Sequence, residues 1–157
     1  MRPLESGGPE ETKAVASQLA GVLRPGDVVL LVGGLGAGKT TFVQGLVAAL
    51  GGKSDVTSPT FTLAHRYDTT PRVTHVDLWR LEHLQEVVDL ALDEELEDGG
   101  ALVVEWGEAA APLYGSDALV VRFSWGSDEH ERLISLEWRG ESWESRSCEL
   151  AAMAGPR

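Results

Sequence analysis

The run Gly33-Gly34-Leu35-Gly36-Ala37-Gly38-Lys39-Thr40 satisfies the pattern G-x-x-x-x-G-K-[ST], with Thr41 directly after it. Glycines at these positions let successive backbone N–H groups turn inward around anionic oxygens, a path that bulky side chains would block. Lys39 then has the reach to meet the β- and γ-phosphates of a nucleotide. The Thr40 hydroxyl can ligate Mg²⁺, and the start of a helix at Thr40 adds the favourable end of its dipole. A glycine-rich turn would match this pattern by accident in under ~1% of chains this long. A buried strand before the run and a helix after it make an accident rarer still. The residues are therefore read as a loop that cradles a nucleoside triphosphate with its Mg²⁺. No N-K-x-D and no D-x-x-G occurs in the chain, so the motifs of guanine-specific switch proteins are missing and ATP is expected.

Mg²⁺ in such a site needs further oxygen ligands, often a carboxylate. Strand C-terminal ends face the ligand crevice in α/β sheets. Asp77 and Glu105 each end a short apolar run, and function is expected for at least one of them. A strand-end acid on its own is more often a surface cap. Trp79 and Trp106 follow these acids closely; either a stacked base or simple core packing suits them. Arg66, Arg80 and Arg132 are candidates to steady a transferring phosphoryl group. Histidines 65, 75, 83 and 130 lack metal-ligand spacing, which argues against zinc.

The elements that must position these residues follow from periodicity. Residues 10–23 place Val15, Leu19, Ala20 and Leu23 on one helical face, with Glu10 and Glu11 in the first turn. Pro25-Gly26-Asp27 makes a turn. Residues 28–32 form an aliphatic strand buried on both faces. A helix is expected over 40–50, a loop over 53–59, a weakly alternating strand over 61–67 and a strand over 73–78. A helix over 81–96, broken near Ala91, leads to a buried strand over 101–104. Segments 118–123 and 132–138 flank Gly126-Ser127-Asp128 and read as an antiparallel hairpin. Strands and helices in this order predict an α/β fold: a three-layer sandwich like that of phosphate-loop NTPases, its central sheet mostly parallel, closed by a C-terminal antiparallel hairpin. Residues 1–138 are expected to form a single domain. Residues 139–157 show no periodicity and are expected to be a frayed or disordered tail.

Thirteen basic against 25 acidic residues leave a net charge of −12, with the acids densest at 82–98 and 128–149. That balance argues against tight nucleic-acid binding by this chain alone, which needs a basic patch to displace counterions from phosphates. The only cysteine is Cys148, so no intrachain disulfide can form. The first eleven residues lack the apolar stretch of a secretory signal, and no run approaches the roughly 20 apolar residues of a membrane span. A soluble cytoplasmic protein is expected.

Several of these segments together resemble a known family. The run Gly33–Phe42 is followed by Ser58-Pro59-Thr60-Phe61, then His75-Val76-Asp77-Leu78-Trp79-Arg80-Leu81, then Val103-Val104-Glu105-Trp106. In order and spacing, across roughly residues 10–138, this is similar to the TsaE (YjeE) family. The phosphate loop is generic; the later elements in combination are much more specific. The resemblance implies a cytoplasmic ATPase required for N6-threonylcarbamoyladenosine in tRNA, acting with TsaD and TsaB and reaching tRNA only through that complex. It implies that TsaE does not transfer the group, and that hydrolysis, slow in the isolated protein, resets the complex. It implies Thr40 and Glu105 as Mg²⁺ ligands, Asp77 near the γ-phosphate, Lys39 on the phosphates and Thr60 on a switch-like loop. Trp106 and Arg132 would lie beside the nucleotide. Gly34 stands where the family usually has an acid, and Trp79 where Tyr is common. Two other function classes compete: a stand-alone small-molecule kinase, which would need an acceptor pocket and a lid, and a non-hydrolysing nucleotide-gated binding module.

Overall fold

A computed structural model describes residues 2–34, 36–59 and 63–153. Leu35 and Thr60, two of the expected site residues, lie outside the described residues, as do Phe61 and Thr62. Seven strands form one sheet: β1 (Leu4–Ser6), β2 (Val28–Val32), β3 (Ala64–Tyr67), β4 (Val73–Asp77), β5 (Ala101–Glu105), β6 (Ala118–Trp125) and β7 (Arg132–Arg139). Their spatial order is β1-β7-β6-β2-β5-β4-β3. The four central strands, β6, β2, β5 and β4, run parallel. Antiparallel pairs close both sides, β3 on β4 and the β6–β7 hairpin extended by β1.

The parallel strands carry apolar residues on both faces, and their alternation sorts them into two cores. Val29, Leu31, Val103, Leu119 and Val121 pack with α1 (Pro9–Ala20) and α2 (Lys39–Ala49). Val28, Leu30, Val104 and Val120 point the other way. They meet Val87 of α3 (Leu84–Asp89) and Leu92, just before α4 (Asp93–Glu97). A 3-10 turn (Gly107–Ala109) and α5 (Ala111–Tyr114) complete that layer. Helix α1 starts on Pro9, whose missing N–H costs nothing in a first turn, followed by Glu10 and Glu11 at the positive dipole end.

Several boundaries differ from the sequence reading. The break expected near Ala91 in the 81–96 helix is present, with α3 and α4 on either side of Ala91 at a left-handed φ of 53°, but the helical residues begin only at Leu84. The strand expected over 61–67 is described from Ala64. Strand β1 was not anticipated, since three residues carry too little alternation to register. The larger correction concerns the tail. Residues 139–153 are not frayed: β7 runs to Arg139, and α6 (Glu141–Glu144) and α7 (Ser147–Ala152) follow. Trp143, Leu150 and Met153 enter the α1–α2 core. Helices this short contribute one or two buried residues each, too few to show a period of 3.6. A buried arginine, Arg146, holds the segment in place.

Candidate functional site

The site lies at the C-terminal ends of β2, β4 and β5. The chain leaves β2 at Val32 and reaches α2 through the glycine loop. Gly36 and Gly38 have φ of 75° and 105°, left-handed values that L side chains rarely adopt. The loop thereby curls back onto the start of α2, whose first N–H groups have no helical acceptor. Lys39 folds over this turn. Its Nζ donates to the carbonyls of Gly33 at 2.7 Å and Gly34 at 2.8 Å, and it sits 4.0 Å from the centre of the Trp106 ring. Burial pushes the Lys39 ammonium below its ordinary pKa, while Glu105, Glu108 and Asp77 pull it back up.

Parallel register brings the two strand-end acids side by side, Asp77 opposite Glu105. Both are buried. The Thr40 hydroxyl donates, in a shared hydrogen bond, to the two oxygens of Glu105 at 3.0 Å, so the end of β5 meets the loop across 65 residues of sequence. Asp77 is held from two sides: Ser58 Oγ donates to Oδ2 at 2.8 Å, and the Trp79 amide to Oδ1 at 2.9 Å. Behind the acids, His75 is fully buried, with Nε2 2.5 Å from Glu105 Oε2. Trp106 takes a left-handed φ of 58°, and Gly107 follows because a Cβ there would come within 2.6 Å of Leu30 Cβ. That tight bend turns Trp106 towards Lys39, and Trp79 packs on it with ring centres 4.6 Å apart. Half of Trp79 remains exposed, so core packing is not its role.

These groups line a cavity of about 380 Å³ that includes Gly36, Ala37, Gly38, Lys39, Thr40 and Thr41 on one wall and Ser58, Asp77 and Glu105 on another. A second cavity of about 200 Å³ also reaches Gly36, Gly38 and Thr41, and is completed by Pro9, His130 and Arg132. Arg132 stacks on Trp125 with its guanidinium carbon 3.6 Å from the ring centre, and donates to the Gly36 carbonyl at 3.3 Å. Of the three arginines noted in the sequence, Arg132 contacts the loop at Gly36. Arg66 is engaged with Glu95.

Chemically, the first cavity joins anion-seeking groups, the helix start and Lys39, to hard oxygen donors, Thr40 and Glu105. The residue types fit a phosphate chain with Mg²⁺, since both carboxylate and hydroxyl oxygens suit that ion. Among the described residues no group of three His, Cys, Asp or Glu side chains forms a self-sufficient metal cluster. Oxygens from a phosphate ligand would have to complete the shell. Sequence reasoning singled out Lys39, Thr40, Asp77 and Glu105, and the structure brings these together. It named Ser58 and His75 as members of the segments that carry the resemblance but gave neither a role in the site. The period of two along β4, which puts His75 on the same face as Asp77, was the available signal.

Comparison with known proteins identifies the family. The family model "Threonylcarbamoyl adenosine biosynthesis protein TsaE" matches residues 6–134. The Bacillus subtilis tRNA threonylcarbamoyladenosine biosynthesis protein TsaE is 39% identical over 144 residues, covering 91% of this chain and 89% of the relative. The Streptomyces coelicolor protein of the same name is 37% identical over 150 residues, covering 91% and 99%. A crystal structure of Bacillus subtilis YdiB superposes with a TM-score of 0.80 at 33% identity, covering 95% of this chain and 93% of that one. Sequence and fold agree, and the chain belongs to the TsaE family.

Proposed function

We propose that this protein is a cytoplasmic Mg²⁺-dependent ATPase serving the formation of N6-threonylcarbamoyladenosine in tRNA, with TsaD and TsaB homologues as its partners. The observation that carries the reading is the contact of Thr40 with Glu105 beside Lys39, at the mouth of a cavity shaped by the glycine loop. The triphosphate occupies this cavity. The nucleoside lies towards the adjoining one, which His130 and Arg132 help to line, Arg132 being stacked on Trp125.

Each residue's part follows from its present partners. Lys39 exchanges two neutral carbonyls for anionic phosphate oxygens, a stronger charge-assisted bond. That charge also offsets the burial that depresses its pKa. The Thr40 hydroxyl and the Glu105 carboxylate hold the metal. Bound Mg²⁺ supplies electrostatic stabilisation of charge developing on the transferring phosphoryl group. Asp77 accepts the Ser58 hydroxyl and so ties the 53–59 loop to the end of β4. A γ-phosphate arriving beside Asp77 competes for this contact, and the loop then presents a different surface to a partner, as switch loops do. With a net charge of −12 the chain holds tRNA weakly, and the partners do most of that work.

The test has two arms. Calorimetry with ATP and Mg²⁺ should give binding for the wild type and little or none for Lys39→Ala at unchanged fold. Equal affinity would remove the nucleotide reading. Depletion from cells lacking a second copy should lower threonylcarbamoyladenosine in digested tRNA, read by mass spectrometry. Unchanged levels would sink the cellular role while leaving the nucleotide site standing.

A further inference from the structure

The proposed site uses Glu105 but leaves unexplained a fully buried imidazole directly behind it. His75 has no exposed surface, and its Nε2 lies 2.5 Å from Glu105 Oε2. An ionised carboxylate only accepts, so Nε2 carries the hydrogen in this contact. Nδ1 has no hydrogen-bond partner among the described residues. The ring is therefore placed for one bond, the one to Glu105. Around it stand Tyr67 of β3, with ring centres 6.4 Å apart, and Glu105 of β5.

The bonding around Glu105 is unequal. Among the described residues, Oε2 is met by both His75 and Thr40, whereas Oε1 is met by Thr40 only. Pinning Oε2 from the protein side stops the carboxylate from rotating about its terminal torsion, which is otherwise broad. It leaves Oε1 as the oxygen with capacity for a further partner, in a residue that lines the cavity. Donors behind a ligating carboxylate commonly fix its orientation in this way.

We infer that His75 is a positioning residue, holding Glu105 in the rotamer that receives the metal of the nucleotide complex. The inference rests on the nucleotide reading above. It is tested with manganese as a spectroscopic substitute for magnesium. Mn²⁺ is titrated into the full-length protein saturated with a non-hydrolysable ATP analogue, and free ion is read by electron paramagnetic resonance. Three proteins are compared: wild type, His75→Gln, whose amide N–H lies near the Nε2 position, and His75→Leu, which keeps volume without a donor. His75→Leu should need about 10- to 100-fold more Mn²⁺ for half-saturation. His75→Gln should stay close to wild type, and analogue affinity without metal should be the same for all three. A merely structural histidine would not give rescue by glutamine confined to the metal titration. If His75→Leu does not fold, His75→Asn carries the comparison, because its shorter amide does not reach Glu105. Wild-type Mn²⁺ affinity in the donor-less variant would overturn the inference alone. Equal impairment in His75→Gln and the donor-less variant would do the same. Absence of analogue binding by the wild type would remove the nucleotide reading and the inference with it.

Discussion

Strand β2 has a buried ionic cluster at each end, and the two are built differently. At its start, Asp27 and Arg146 are both buried. Arg146 Nη1 and Nη2 donate to the two Asp27 oxygens at 2.6 and 2.8 Å. The remaining guanidinium hydrogens go to Val22 O, Ser142 O and Ser142 Oγ, while the Arg24 amide donates to Asp27. The guanidinium also lies 3.9 Å from the centre of the Trp143 ring. Every Arg146 donor is used. At the other end of β2, Lys39 leans on two neutral carbonyls while Asp77 and Glu105 face the same cavity. A closed ionic cluster contributes to stability through complete satisfaction. The open one leaves the Lys39 ammonium on neutral acceptors, with two carboxylates lining the same cavity.

The sharpest way to break this contrast is Arg146→Ala. It leaves Asp27 buried and unpaired and should cost about 3–5 kcal/mol of unfolding free energy, read by urea titration. ATP affinity of the folded fraction should be unchanged. The double variant Asp27→Leu, Arg146→Met removes both charges at similar volume and should recover most of the loss. A single variant as stable as wild type would mean that the tail is held by Trp143 and Leu150 packing alone.

Glu105→Ala probes the open end. Phosphate release should fall on the order of 10²-fold. Unfolding free energy should fall by about 1–3 kcal/mol, since His75 is left buried without its partner, partly offset by removal of a negative charge next to Asp77. A stability loss as large as that of Arg146→Ala would erase the distinction between the two ends.

Glu95 is an intermediate case on the opposite sheet face. Burial raises its pKa, but hydrogen bonds from Arg66 and Thr74 and the charges of Arg66 and Arg72 bring it below its ordinary 4.5. Its folded value is depressed, so its contribution is complete above the unfolded value and is lost as pH falls through the folded one. Glu95→Gln should therefore be less stable than wild type by about 1 kcal/mol near neutrality, with the gap closing in acid. A gap that persists unchanged to low pH would assign the effect to packing instead of charge.

The smallest effect is expected at Gly34. A Cβ there meets nothing within 4 Å, and its φ is not left-handed. Gly34→Asp should alter stability by about 0.5 kcal/mol or less. ATP affinity should drop modestly as a third carboxylate joins the open cluster. A large stability loss would show that the loop has no room for the family's usual acid.

Legibility followed the range of the interaction. The sign of φ at Gly36 and Gly38 and the adjacency of Lys39 and Thr40 are local properties, and the motif reveals them directly. Alternation along residues 28–32 and 101–104 likewise indicated strands covered on both faces. The tail was misread because α6 and α7 are held by Arg146, a residue type expected in solvent, whose partner is 119 positions away. Trp79 was weighed as core, yet it stands half exposed at the cavity because β4 ends two residues before it.

By itself the sequence determined the loop, its lysine and threonine, the central strands with α1 and α2, and the presence of two strand-end acids. Those features depend on steric limits and periodicities that act over a few residues. Only the tertiary structure decided that Glu105 meets Thr40, that His75 stands behind Glu105 and that Arg146 closes on Asp27. All three depend on strand order, with β5 inserted between β2 and β4, and on a chain end returning to the start of β2. Such pairings are chosen by burial of two faces of one sheet at once, a condition that no local stretch of residues can express.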